Sequence, residues 1–288
     1  MQYRGMDRAQ LDTAYNNSAA VTNYEAIMAN WNARSARVRQ SRSRHLDLFY
    51  GDRPRQRLDL FLADNPRAPT LMFIHGGYWQ RNDKEGFAFL AEGPLARGIN
   101  VAVVEYTLAP QARMDQIVGE ISQAVAWLAE HLDDCGADPD RIYVSGHSAG
   151  GHLTATVMNL GTVKGGIAIS GLFDLEPIRL NYLNFKLSLD EPEARRNSPI
   201  LHLPPTAGPM VIAYGTAELP ELCRQSVDYA QTWMEHGLRG HLLPVDGANH
   251  FTILESLADP AGALTQAVAS MVAIKPAPTA NDGPRASR

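Results

Sequence analysis

The chain has 288 residues, of which 45% are hydrophobic and 20% are charged, and its formal net charge at pH 7 is −5. This length suffices for one domain with a sizeable core, and the negative charge argues against binding of nucleic acid or of anionic membranes. No uncharged stretch approaches the ~18 residues of a membrane span, and the start lacks the apolar run of a signal peptide. We therefore expect a cytoplasmic protein whose partner is a small molecule.

Residues 1–44 are polar and arginine-rich, with scattered apolar positions that include Tyr24 and Trp31. They predict a helical N-terminal extension that could cap the main domain. Five arginines lie between residues 34 and 44, and such a cluster usually forms a solvated face. A contact between the subunits of a homodimer is the alternative.

Eight segments predict β-strands. Residues 45–50 and 57–62 alternate polar and apolar side chains, which favours an antiparallel pair at a sheet edge. Continuous apolar runs at 70–74, 99–105, 141–145, 163–170 and 209–214 are typical of strands covered on both faces, and 240–245 follows them. Helical patterns at 114–132, 219–236 and 261–272 separate or follow these strands, so we expect an α/β domain over 45–274 with a mostly parallel sheet. Residues 275–288 predict a disordered tail.

The most informative segment is Gly146-His147-Ser148-Ala149-Gly150, which joins a buried strand to an apolar helix. This G-x-S-x-G pattern is typical of the nucleophile elbow of α/β hydrolases, where glycines permit a sharp turn that exposes the serine. We predict that Ser148 is the nucleophile. The N–H group of Ala149, at the start of the helix, could stabilise an oxyanion.

A second motif, His75-Gly76-Gly77-Tyr78-Trp79, follows the strand at 70–74. Glycines after an early strand let the backbone approach a substrate oxygen, so Gly76 and Gly77 are candidates for the remaining oxyanion donors. The alternative is an ordinary glycine turn whose aromatic neighbours lie in the core.

The other catalytic residues should follow in the order acid, then histidine. His250 comes after the last strand through a polar turn, which favours it over the histidines that lie in or beside regular elements. Glu218 follows the strand at 209–214 and is the favoured acid, with Asp174 as its rival. His147 and His152 lack metal-ligand spacing, so we expect neither a metal nor a cofactor.

Several motifs resemble kynurenine formamidase, an arylformamidase branch of the α/β hydrolases: HGGYWQ at 75–80, EYTLAP at 105–110, GHSAGGH at 146–152, SGLFDLEPI at 170–178 and NHF at 249–251. The resemblance spans most of residues 45–255. It implies Ser148, Glu218 and His250 as nucleophile, acid and base. The family's usual acid is Asp, so the Glu is a departure that weakens any transfer of the substrate.

The resemblance implies a serine hydrolase that cleaves an aryl formamide, with a carboxylesterase as runner-up and a non-catalytic binding protein as a distant alternative. Aromatic and apolar residues near the motifs could form the substrate wall: Tyr78, Trp79, Leu172, Phe173 and Phe251. The proline-rich stretch 175–205 could add a lid.

Overall fold

The computed structural model describes residues 2–41 and 44–273. Its eight strands are β1 (Arg44–Phe49), β2 (Arg57–Phe61), β3 (Thr70–Ile74), β4 (Asn100–Val104), β5 (Ile142–His147), β6 (Val163–Ile169), β7 (Met210–Gly215) and β8 (Gly240–Val245). They form one sheet in the order β1-β2-β4-β3-β5-β6-β7-β8. Strand β2 is antiparallel to both of its neighbours, whereas the pairs from β4 to β8 are parallel. The predicted α/β-hydrolase fold is thus confirmed.

The helices that precede or cover this sheet are α1 (Arg8–Ala14), α2 (Tyr24–Ser41), α3 (Glu92–Ala96), α4 (Met114–His131), α5 (Ala149–Thr156), α6 (Glu176–Arg179), α7 (Asn184–Leu187), α8 (Glu191–Arg196), α9 (Pro220–Glu235), α10 (Glu255–Ala258) and α11 (Ala263–Ala273). Short 3-10 segments lie at Lys84–Ala91, Pro199–Leu201 and Thr252–Leu254. The predicted tail, 275–288, lies outside the described residues.

Apolar side chains are buried on both faces of the sheet, because successive strand residues point to opposite sides. In β3, Met72 and Ile74 belong to the cluster under α4, α5 and α9, whereas Leu71 and Phe73 belong to the cluster with α2 and α11. This double coverage explains the continuous apolar runs in the central strands.

The N-terminal extension packs on the domain through α2. Trp31 is 1% exposed, and its ring stacks on Phe89 with centroids 5.1 Å apart. Arg34 binds Glu92 at 2.5 Å and Glu255 at 2.6 Å. Arg39 also binds a carboxylate of its own chain, that of the buried Asp59. Arg34 and Arg39 thus form ion pairs within the chain, which differs from the predicted solvated face.

No helix within residues 2–41 and 44–273 combines the length and the apolar character that a membrane span requires.

Candidate active site

The turn from β5 into α5 holds Ser148 in a left-handed backbone conformation, with φ at 57°. A Cβ atom at Gly150 would lie 1.9 Å from the carbonyl oxygen of Ile74, and one at Gly146 would lie 2.2 Å from that of Gly150. Side chains are therefore excluded at both positions. A strained serine between two such glycines is the geometry of a nucleophile elbow.

The loop after β3 brings its backbone against this turn. A Cβ atom at Gly76 would lie 3.1 Å from the Cβ of Ser148, and Gly77 has φ at 114°. The carbonyl oxygen of Gly76 accepts hydrogen bonds from Asn82 Nδ2 at 3.1 Å and from His75 Nδ1 at 2.8 Å. Burial lowers the pKa of His75 to about 4, so the ring is neutral at pH 7. These contacts hold the peptide unit between Gly76 and Gly77 in one orientation.

His250 lies in the loop that follows β8. It contacts the side chain of Glu218, which lies in the loop that follows β7. Its Nδ1 atom is 2.7 Å from Oε2 of Glu218, and the two side chains are 5% and 0% exposed. The other carboxylate oxygen accepts hydrogen bonds from the Ser170 hydroxyl at 2.5 Å and from the Gly215 amide at 2.7 Å. Glu218 is thus fixed by partners on three sides.

Asp174, the alternative candidate for the acid, forms hydrogen bonds with other parts of the chain. Asp174 accepts a hydrogen bond from the Tyr3 hydroxyl at 2.7 Å and another from the amide of Glu176 at 2.9 Å. It therefore anchors the start of the N-terminal extension.

Two histidines flank the elbow, and one of them supports His250. Nε2 of His147 lies 2.6 Å from the carbonyl oxygen of His250, and burial, with the nearby imidazole of His250, lowers the pKa of His147 well below its usual value. His147 is therefore neutral and donates from Nε2. His152 is buried beneath the elbow and bonds the carbonyl of Asn197 at 2.7 Å.

The support that His147 gives to His250 was missed from the sequence. Its position beside Ser148, in the elbow itself, was the available signal. No sequence signal identified the contact partner, because His250 lies 103 residues away along the chain.

A small cavity of about 20 Å³ joins these elements, roughly the space of one water molecule. Its lining residues are Asn17, Tyr24, Met28, Trp31, Gly76, Gly77, Tyr78, Arg81, Asn82, Phe87, His147, Ser148, His250 and Phe251. Ser148, His250 and the HGG loop therefore meet in one place, at the carboxyl edge of the parallel strands. This is where open α/β sheets place their ligands.

The N-terminal extension forms part of the wall of this cavity. Four lining residues belong to it, namely Asn17, Tyr24, Met28 and Trp31. The spacing of the last three, at i, i+4 and i+7, marks one face of a helix, and this pattern was the signal that could have identified them. None of the lining residues in the described chain comes from 175–205.

Tyr78 and Phe251, two of the residues predicted for the substrate wall, line the cavity; their contact with a substrate stays a prediction. The structure places Trp79, Leu172 and Phe173 in the core instead, each 0% exposed. The rings of Trp79 and His152 pack perpendicular to each other, and Phe173 stacks on Tyr229. A sequence cannot separate these groups, because wall and core use the same apolar residue types.

Known proteins resemble the chain over most of its length. The kynurenine formamidase of Salmo salar is 32% identical over 219 residues, which are 71% of this chain and 73% of that protein. The chain belongs to the kynurenine formamidase family. It is accordingly a hydrolytic enzyme of the α/β-hydrolase superfamily.

Other members of the superfamily extend the comparison. The BD-FAE family model matches residues 58–167. The isoprenylcysteine alpha-carbonyl methylesterase of Arabidopsis thaliana is 26% identical over 236 residues, covering 70% of this chain and 55% of that protein. The crystal structure of a candidate thioesterase from Silicibacter sp. TM1040 superimposes with a TM-score of 0.81 at 30% identity, covering 89% of this chain and 98% of that one. The kynurenine formamidase family thus shares its fold with enzymes named for ester and thioester cleavage.

Proposed function

We propose that this enzyme cleaves the formyl group from an aryl formamide similar to N-formylkynurenine, with Ser148 as nucleophile, His250 as base and Glu218 as acid. The observation that carries the proposal is the meeting of Ser148, His250 and the HGG loop in one cavity, with His250 bonded to Glu218. Membership of the kynurenine formamidase family supports the substrate class.

In the proposed reaction, Nε2 of His250 takes the proton of the Ser148 hydroxyl as Oγ attacks the formyl carbon. The tetrahedral intermediate collapses when His250 gives that proton to the nitrogen, so the C–N bond breaks and the arylamine leaves. Water then attacks the formyl-serine with His250 as base, and formate is released.

The oxyanion is proposed to accept hydrogen bonds from the amides of Gly76, Gly77 and Ala149. The bonds that the Gly76 carbonyl receives from Asn82 and His75 support this role, because they preorganise the peptide that carries the Gly77 N–H. Preorganised donors need no rearrangement as charge develops.

Glu218 is preferred to Asp174 as the acid because it contacts the imidazole directly. A carboxylate on Nδ1 keeps the proton on that nitrogen and leaves Nε2 free to accept one. The replacement of the family's usual Asp by Glu is compatible with the distance of 2.7 Å.

Tyr78 and Phe251, with Tyr24, Trp31 and Phe87 beside them, supply aromatic surface for an aryl leaving group. We propose these five as the substrate wall, and we do not carry Trp79, Leu172 and Phe173 into it.

A carboxylesterase acting on short-acyl or aryl esters is the second candidate, favoured by the similarity to the Arabidopsis thaliana methylesterase. Purified enzyme assayed on N-formylkynurenine and on p-nitrophenyl formate, acetate and butyrate separates the two. Efficient ester cleavage with negligible formamide cleavage would reverse the order of the candidates.

Ser148→Ala tests the enzymatic mechanism as a whole. We expect loss of hydrolysis and of labelling by a fluorophosphonate, with the melting temperature retained. Unchanged turnover in this variant would remove Ser148 from the mechanism.

The predicted homodimer and cytoplasmic location stay predictions. The arginine cluster gives the dimer less support than the sequence suggested, because Arg34 and Arg39 bind carboxylates of their own chain. Analytical ultracentrifugation would measure the oligomeric state.

A further inference from the structure

Asn17 lies between α1 and α2, at the cavity that also contains Ser148 and His250. Its side chain is 3% exposed. The Nδ2 atom donates a hydrogen bond to the Tyr78 hydroxyl at 3.0 Å, and that hydroxyl donates to the carbonyl oxygen of Tyr15 at 2.7 Å. A chain of two hydrogen bonds therefore holds the Asn17 amide.

This chain also fixes which end of the amide faces Tyr78. The carbonyl of Tyr15 can only accept, so the single hydroxyl proton of Tyr78 is directed to it. Burial raises the pKa of the Tyr78 phenol, which keeps that proton in place. The Tyr78 oxygen must then accept from Asn17, so Nδ2 points to Tyr78 and Oδ1 points away from it.

The Oδ1 atom is left as a buried acceptor with no hydrogen-bond partner. Two groups that can donate line the same cavity, Asn82, which bonds Gly76, and Arg81, which bonds Ser18, and neither bonds Oδ1 of Asn17. Buried acceptors without a partner are rare because they destabilise a fold, and each one calls for a reason.

We propose that Oδ1 of Asn17 binds the N–H group of the substrate's scissile formamide and thereby selects aryl formamides over the matching esters. This proposal rests on the proposed function. An aryl formamide carries one hydrogen on the leaving nitrogen, and that hydrogen stays there throughout, because His250 adds a second proton as the C–N bond breaks. The hydrogen bond therefore persists from the bound substrate to the departing amine.

An ester presents an oxygen without a hydrogen at the same position. Bound in the same pose, it would leave Oδ1 unpaired and would place two acceptors against each other. A site built to bond an N–H group discriminates strongly against an analogue that lacks it.

The test compares formanilide with phenyl formate, which differ only by N–H against O at the scissile bond. In the Asn17→Leu variant, we expect kcat/KM for formanilide to fall by about 10-fold or more. We expect kcat/KM for phenyl formate to stay the same or rise, because the repulsion between two acceptors is removed. Equal losses on both substrates, or no loss on formanilide, would overturn the proposal.

Two further variants distinguish the loss of the hydrogen bond from an effect on folding. Asn17→Ser shortens the side chain and should give the same selective loss if Asn17→Leu folds poorly. Asn16→Ala changes an exposed neighbour in the same loop and should leave both rates unchanged. Melting temperatures identify any variant whose loss reflects unfolding.

Binding measured without turnover separates this proposal from the proposed function. In the Ser148→Ala protein, the added Asn17→Leu change should weaken formanilide binding by about 10-fold and spare phenyl formate. Equal affinities with and without that change would reject the role of Asn17, even if Ser148 is the nucleophile. Selective weakening would support the role even if the wild-type enzyme turned over esters better than formamides.

Discussion

The Nδ1 atom of His250 lies 2.7 Å from Oε2 of Glu218, and both side chains are almost completely withdrawn from solvent. The second oxygen of the carboxylate is bonded by Ser170 and Gly215, so the carboxylate cannot rotate away. This pairing places the imidazole proton on Nδ1 and leaves Nε2 free to accept a proton, as the proposed mechanism requires.

Glu218→Gln should lower kcat by about 10³-fold or more while the protein stays folded. The amide oxygen would remain with Ser170 and Gly215, which both donate, so the NH₂ group would face His250. Nδ1 would then have to accept and Nε2 would carry the proton, which removes the base. Steady-state kinetics on N-formylkynurenine measure the effect.

Asp174→Asn is the matched control for Glu218→Gln. It weakens the tether between Tyr3 and Asp174 and should change kcat by less than about 10-fold. The opposite ranking of the two variants would assign the acid to Asp174.

Asn82→Gly should lower kcat by roughly 10-fold with little change in KM, because the Gly76 carbonyl loses one of its two hydrogen-bond donors. Glycine is the suitable replacement because Asn82 has φ at 77°, which glycine adopts without strain. A kcat equal to that of the wild type, at equal thermal stability, would show that Asn82 does not orient the oxyanion peptide.

Trp31→Ala should destabilise the protein by about 3–5 kcal/mol and raise KM. The ring is buried between Phe89 and Phe251, its N–H group bonds Glu255 at 2.8 Å, and it lines the cavity. Guanidinium unfolding and steady-state kinetics give the two quantities. Trp127→Ala, at a partly exposed ring remote from the cavity, should leave KM unchanged; a wild-type KM in Trp31→Ala would exclude the ring from substrate binding.

His152→Gln should reduce the loss of stability on acidification. Burial lowers the pKa of His152 from 6.5 to about 4, so the unfolded chain takes up a proton at a higher pH than the folded protein does. The contribution of neutral His152 is complete above pH 6.5 and is lost as the pH falls toward 4, by up to roughly 3 kcal/mol. Urea unfolding at pH 7, 6 and 5 measures the slope, and an unchanged slope in His152→Gln would contradict this assignment.

Local sequence patterns were enough to predict the sheet and the elbow. The continuous apolar runs reflect burial on both faces, and the glycines at 146 and 150 reflect contacts that a Cβ atom would make at 2.2 and 1.9 Å. Such constraints act on neighbouring residues, so they leave a mark on the sequence itself. Ser148 and the HGG loop could be proposed for the same reason.

Tertiary structure decided which distant residues meet. Glu218 rather than Asp174 contacts His250, because the loops after β7 and β8 lie side by side whereas Asp174 turns toward Tyr3. Trp79 and Phe173 lie in the core and Trp31 lines the cavity, although all three are large aromatic residues. The N-terminal extension supplies Asn17 to the cavity, although Asn17 lies 131 residues before Ser148 in the sequence.

The sequence determined the strands, the elbow and the order of the catalytic candidates, because short-range sterics and burial dictate them. Which carboxylate contacts His250, which aromatic residues line the cavity and which distant segment contributes to its wall depended on packing between segments far apart in the chain. Residue type alone does not record that packing.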